Sequence, residues 1–275
     1  MVHDLAGKDH WDRREGGAKP RLPSKLNAAT GDLLALIDPL VNPGSRVLEI
    51  GCAPGKFLLW CALAKQARAC GVEYADNSHK MTVQLFADAN ASADIRKEDF
   101  MQTSFEPGSF DVVYSFGVVE HFTDPRPMVK KHVEMLKPGG KAIITVPHFG
   151  GGYGWLAQRM GREAYEQHNV SIMSEHGMLG LAPEGAQARS YAYGRFSPWQ
   201  LPWDRFPRPV SRLACYGLNA VALLQPIEIK PLCPWLVLEI TRPLKSPDRH
   251  HHRRIDTIKA DREAAEIGIR DRIPA

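Results

Sequence analysis

The stretch RVLEIGCAPGKF, residues 46–57, constrains this chain more than any other. Its short apolar run with β-branched residues, RVLEI, stops at Gly51. The segment KFLLWCALAKQARA (56–69) then shows helical spacing at Leu58, Cys61, Ala62 and Lys65. A strand, a tight turn and a helix are predicted within a few residues. A helix that starts directly after a strand presents unpaired backbone N–H groups and a partial positive charge, and small residues let a ligand approach the backbone. Glu49 stands two residues before Gly51, with Cys52, Ala53 and Gly55 following. A carboxylate there would repel a diphosphate and suits a ligand ending in an ammonium or sulfonium group.

The same alternation recurs downstream. CGVEYAD (70–76) reads as a second strand and KMTVQLFADANA (80–91) as a helix. DVVYSF (111–116) reads as a strand buried on both faces, and DPRPMVKKHVEML (124–136) as a helix with an Asp cap and Pro in its first turn. KAIITV (141–146) is a further strand after the breaker KPGG. Repeated βα units predict an α/β, doubly wound, mostly parallel sheet with its ligand at the carboxyl ends of the strands.

Composition excludes several function classes. The five cysteines contain no C-x-x-C pair, which speaks against a disulfide framework or a zinc site and fits a reducing, cytoplasmic setting. No apolar run reaches the ~18 residues of a membrane span, and the charged N-terminus does not read as a signal peptide. The net charge of +4 resides at the two ends: residues 1–26 and 245–275 each contribute +2, so residues 27–244 are neutral. A sequence-independent nucleic-acid binder concentrates basic charge on its working domain, so a nucleic-acid partner is not indicated. One domain over 45–242 is expected, with an N-terminal arm and lid helix over 1–44 and a charged tail over 243–275.

Residues 46–55 resemble the first motif of the class I S-adenosylmethionine-dependent methyltransferases, (Asp/Glu)-x-Gly-x-Gly-x-Gly, with Ala53 in place of the middle glycine. KEDFMQTSFEPGSFDVVYSF, VVEHF (118–122) and LKPGGKAIITVP (136–147) resemble the group's later segments. The resemblance implies a Rossmann-like, seven-stranded sheet with S-adenosyl-L-methionine as cofactor. It assigns Glu49, Gly51, Cys52, Ala53 and Gly55 to the cofactor loop, and Glu73, beside Tyr74, to the ribose hydroxyls. Asp99 would partner the adenine amino group, with Phe100 beside the ring and Ser115 and Phe116 ending the fourth strand. The paired acids of metal-dependent catechol-type members are not evident, and no metal is expected.

Acceptor recognition is expected in two insertions, 148–173 and 195–232. The second follows QARSYAY, read as the sixth strand, and precedes the seventh, PWLVLEI (234–240). Between them a helix is read over SEHGMLGLAPEG, 174–185, before the sixth strand. The second insertion combines Trp199, Trp203 and Phe206 with Arg205, Arg208 and Arg212 ahead of the apolar run 209–224. That composition suits a small-molecule, glycan or lipid-linked acceptor and peripheral membrane contact, or equally a structural cap. Methylating an aliphatic hydroxyl requires removal of its proton as attack proceeds, which suits a neutral histidine. His121 and His168 are the candidates, and His148 reads as a strand-end residue. An O-methyltransferase is the reading, against an N-methyltransferase acting on an amine or RNA, or a cofactor-binding protein without turnover.

Overall fold

The computed structural model describes residues 4–5, 7–12, 22–152, 154–155, 159, 165–197, 206–225 and 229–244. Seven strands form one sheet: β1 (Arg46–Ile50), β2 (Arg68–Val72), β3 (Asp94–Arg96), β4 (Phe110–Phe116), β5 (Leu136–Pro147), β6 (Gln187–Tyr193) and β7 (Trp235–Thr241). Their order is β3-β2-β1-β4-β5-β7-β6. The first five run parallel, and β7 is antiparallel to both β5 and β6. Strand order reverses between β1 and β4, so a crevice opens there at their carboxyl ends, the usual place for a ligand in such sheets.

The period of two in the strands explains why both faces are covered. Leu48, Val113, Ile144 and Leu238 enter one core, while Val47, Val112, Ile143 and Val237 enter another on the opposite face. The helices are α1 (Lys8–Asp12), α2 (Ala28–Ile37), α3 (Lys56–Lys65), α4 (Asp76–Asp88), α5 (Arg126–Met135), α6 (Glu175–Leu179) and α7 (Arg208–Leu223). Leu33, Leu34, Leu36 and Ile37 of α2 belong to the second core. The lid helix expected in residues 1–44 is therefore not α2, whose apolar side chains require burial against the sheet.

Several boundaries differ from the sequence reading for local reasons. Helix α3 stops at Lys65 because Gln66 turns left-handed, with φ 54°, and its N–H bonds to the Cys61 carbonyl. Helix α4 starts at Asp76, four residues early, where an acid in the first turn favours the positive end of the helix. The helix expected over 174–185 closes after Leu179, ahead of Gly180 and Pro183. Strand β3, which the sequence reading implied by number but did not locate, is three residues at the sheet edge.

The connection from β6 to β7 positions the acceptor side. Tyr193 and Pro147 both pair with Trp235, so this connection opens at the carboxyl edge of the parallel strands. Within it, α7 docks through Asn219. Its Oδ1 accepts from the Ala28 N–H at 3.0 Å, and its Nδ2 donates to the Leu26 carbonyl at 2.9 Å. Arg195 donates from Nη2 to buried Asp32 at 2.6 Å, tying the end of the hairpin to α2. Trp199, Trp203 and Arg205 lie outside the described residues, as does the charged tail from residue 245.

Candidate active site

At the carboxyl ends of β1, β2 and β4 lies a cavity of about 490 Å³, within the range of roughly 300–1,000 Å³ usual for small-molecule sites. The β1–α3 turn supplies Gly51 and Ala53 to its wall. Gly51 has φ +65°, and a Cβ there would meet Val118 Cγ2 at 2.8 Å, so only glycine lets the turn pass this close to the β4 loop. Past the end of β2, Glu73 and Tyr74 line the cavity. Asp99, Phe100 and Met101 line it from the loop after β3, and Phe116 from the end of β4. Glu73 is buried, and its Oε1 accepts the Ala75 N–H at 3.0 Å. Asp99 accepts the Met101 N–H at 2.9 Å, which fixes the carboxylate at the start of a short 3₁₀ turn.

The N-terminal arm crosses this cavity. Leu5 N–H donates to the His121 carbonyl at 2.7 Å, Tyr74 donates to Asp4 Oδ2 at 2.6 Å, and Lys8 pairs with Asp76 at 2.5 Å. Trp11 reaches the cavity wall and meets the His121 ring edge-on, with centroids 4.9 Å apart. Trp11 thus ties the arm to the cavity wall.

Glu120, His121 and His168 meet at one side of the cavity, with their ligating nitrogen and oxygen atoms within 4.8 Å of one another. The two imidazoles have centroids 4.6 Å apart. His121 lies on the cavity wall, and its Nδ1 is 3.1 Å from the Gln167 carbonyl oxygen. A carbonyl only accepts, so Nδ1 carries the proton and the basic lone pair of the neutral ring is on Nε2. Glu120 is buried with Oε2 lacking a hydrogen-bond partner, and burial pushes its carboxyl up to about 8. It is therefore a neutral acid at pH 7. The sequence reading sought paired acids and so did not assemble this acid–histidine–histidine group, whose third member is distant in the chain. A divalent ion is chemically compatible with that donor set once Glu120 ionises.

Of the sequence-predicted residues, Gly51, Ala53, Glu73, Tyr74, Asp99, Phe100, Phe116 and His121 line the cavity. The others act behind it. Glu49 alternates to the face opposite Leu48 and Ile50, where Tyr114 donates to its Oε2 at 3.1 Å. Burial pushes it up to about 8 despite that bond, the Leu58 amide and the Lys56 charge. Glu49, assigned to the cofactor loop, is thus not among the residues that line the cavity. Cys52 is buried against Gly71, and Gly55 begins α3 with φ 89°, where a Cβ would strike Thr82 Cγ2 at 2.7 Å. Ser115 Oγ is 3.0 Å from His132 Nε2. The Met128 carbonyl accepts a hydrogen bond from His132 Nδ1–H, so the serine hydroxyl donates to Nε2. His168 stands one ring behind His121, between it and Phe149. His148, read as a strand-end residue, is held through Nδ1 at 3.0 Å from the Cys233 carbonyl. Sequence reasoning missed Val118 and Met128, apolar wall residues that carry no signal of their own.

Residues 48–144 match the family model described as a methyltransferase domain. Over these residues the chain is a class I S-adenosylmethionine-dependent methyltransferase domain. Its relatives include a ubiquinone biosynthesis O-methyltransferase of Xanthomonas campestris pv. campestris, 30% identical over 139 residues, or 50% of this chain and 56% of the relative. Phosphoethanolamine N-methyltransferase 3 of Arabidopsis thaliana is 25% identical over 116 residues, 42% of this chain and 23% of the relative. The chain thus spans little more than half of one of these relatives and under a quarter of the other.

Among solved structures, phosphoethanolamine N-methyltransferase 2 of Haemonchus contortus in complex with S-adenosyl-L-methionine superposes with a TM-score of 0.55 at 18% identity. That match covers 76% of this chain and 52% of the other. A possible histamine N-methyltransferase from Thermotoga maritima gives 0.55 at 16% identity, covering 78% and 89%. These two likenesses concern the fold. The family match ends within β5, so the methyltransferase domain accounts for the Gly51 turn, Glu73, Asp99 and His121. His168 and α7 belong to the part beyond it.

Proposed function

We propose that this chain transfers the methyl group of S-adenosyl-L-methionine to a hydroxyl of a small molecule, sugar or lipid-linked intermediate. When bound, the cofactor supplies an electrophilic methyl on a sulfonium leaving group. The residues present fit it: the glycine-lined turn for its amino-acid end, the buried Glu73 carboxylate for the ribose hydroxyls, and Asp99 with Phe100 for the adenine. The domain's own contribution is to bind, orient and exclude water, and then to accept the proton.

The observation that carries this reading is the tautomer of His121. With Nδ1–H committed to the Gln167 carbonyl, Nε2 is the atom that would accept the acceptor's hydroxyl proton as methylation proceeds, while the bound cofactor would supply the methyl group and its leaving group. His168, in ring contact with His121, positions it.

An acceptor screen of small metabolites, glycans and quinone precursors with labelled cofactor identifies the product. On the acceptor found, His121→Ala is expected to lower kcat by ~10²-fold or more with cofactor affinity nearly intact. His168→Ala lowers it less and shifts the pH profile. Full turnover in both variants between pH 6 and 9 would show that no base is needed, and would favour a phenolic or amine acceptor.

A further inference from the structure

Helix α7 is turned inside out. Val210, Leu213, Gly217, Ala220, Val221 and Leu224, just past its end, fall on one side and are all exposed, Leu213 to 77% and Leu224 to 89%. The side facing the protein carries Ser211, Cys215, Asn219 and Ala222, the last three buried. A helix on a water-soluble surface has the opposite arrangement, apolar inward and polar outward. The rotation is fixed by a polar lock rather than by greasy packing, since both ends of the Asn219 amide are bonded to Leu26 and Ala28.

Charge decides what covers this face. No acid occurs between Arg208 and Leu223, and Arg208 and Arg212 are exposed at the first turns. Two copies of the face laid together would bring the arginines no acidic partner from this helix. At 16 residues the helix is about 24 Å long, short of the roughly 30 Å hydrocarbon core of a bilayer. Lying in the membrane plane satisfies both features. The β6–β7 connection also brings the helix out at the sheet edge that carries the cavity.

We propose that α7 is a membrane-interface helix, seating its outward apolar face at the surface of anionic phospholipid with Arg208 and Arg212 at the headgroup phosphates. This rests on surface composition alone and is independent of the proposed reaction. The test needs neither cofactor nor acceptor, so its failure leaves that reaction standing.

The experiment is co-sedimentation of the full chain with vesicles of phosphatidylcholine, with or without about a third phosphatidylglycerol. Binding is expected to the anionic vesicles and to weaken with salt. Leu213→Glu with Val221→Glu is expected to lower the partition coefficient at least about tenfold, since charge replaces inserted apolar surface. Arg208→Ala with Arg212→Ala is expected to lower it about tenfold on anionic vesicles only. All four positions are exposed, and an unchanged Tm confirms folding. A single Leu224→Glu change, beyond the helix end, serves as the second apolar variant. Absence of binding to anionic vesicles overturns the proposal, as does equal binding by the Glu variants. A lipid-independent dimer that dissociates in the Leu213→Glu variant would assign the face to a second copy instead.

Discussion

Glu120 is a buried acid beside two imidazoles, and its protonation is open to direct measurement. Burial raises its carboxyl from 4.5 to about 8. The folded protein therefore keeps a proton that the unfolded chain releases near pH 4.5. Between these values the unfolded state binds fewer protons, so stability contributed at Glu120 is complete below about 4.5 and declines as pH rises towards 8. Across that gap the cost reaches about 5 kcal/mol, and by pH 7 about 3 kcal/mol. Glu120→Gln keeps the shape of the side chain and cannot ionise. Its stability relative to wild type is expected to improve by about 4 kcal/mol between pH 5 and 8. Urea unfolding of both proteins across this range reads the difference, in which Glu49 and the other titrating groups cancel because both chains share them. A difference that stays constant with pH would refute the argument, because Glu120 would then be ionised and compensated in the folded state.

Two further outcomes follow from the same geometry. Gly51→Ala forces a Cβ against Val118 at a left-handed φ. It is expected to weaken S-adenosylhomocysteine binding by calorimetry at least about tenfold, with part of the loss recovered in Gly51→Ala/Val118→Ala. His132, pushed down by burial from 6.5 to about 4, stabilises the fold fully above pH 6.5. That stability is lost by about 3 kcal/mol as pH falls to 4, a slope that urea unfolding of His132→Asn should lack.

How much of this was legible in the sequence depended on the range of the signal. The βα alternation from Arg46 to Val146 reflects local periodicity and turn chemistry, so the strands at 46–50 and 110–116 were found nearly in place, whereas β5 begins at Leu136 and runs through the KPGG read as a breaker, because Leu136 pairs with Phe110. Short polar β3 has no apolar pattern, because it owes its existence to pairing with β2 at the sheet edge. Gly51, Glu73 and Asp99, assigned through the resemblance, all line the cavity, because each follows directly on the end of a strand or its loop at the carboxyl edge of the sheet. Glu49 was readable as part of the turn motif, but not that its side chain points away from the cavity to Tyr114, since the side to which a strand residue points depends on the whole sheet. The Glu120–His121–His168 group was half visible. The pair at 120–121 is local, but its meeting with residue 168 is made by folding, through the Asn169 N–H bonded to the Glu120 carbonyl at 2.6 Å. The inversion of α7 was invisible, because an amphipathic pattern does not say which face turns inward until Asn219 finds its partners.

The hairpin of β6 and β7 has one more consequence, for how readily such a protein changes its specificity. Its register is held by seven residue pairs from Gln187–Thr241 to Tyr193–Trp235, and none involves the connection. Loop-closure entropy grows only with the logarithm of length, so exchanging a tight four-residue turn for the segment 194–234 costs on the order of 2 kcal/mol as unstructured chain. The cofactor wall, by contrast, is built from residues before 129 that the sheet fixes in place. As far as strand pairing is concerned the connection is thus exchangeable in length, but an exchange has to keep its Arg195–Asp32 and Asn219–Ala28 ties to α2, because losing Arg195 strips the buried Asp32 carboxylate of its cation.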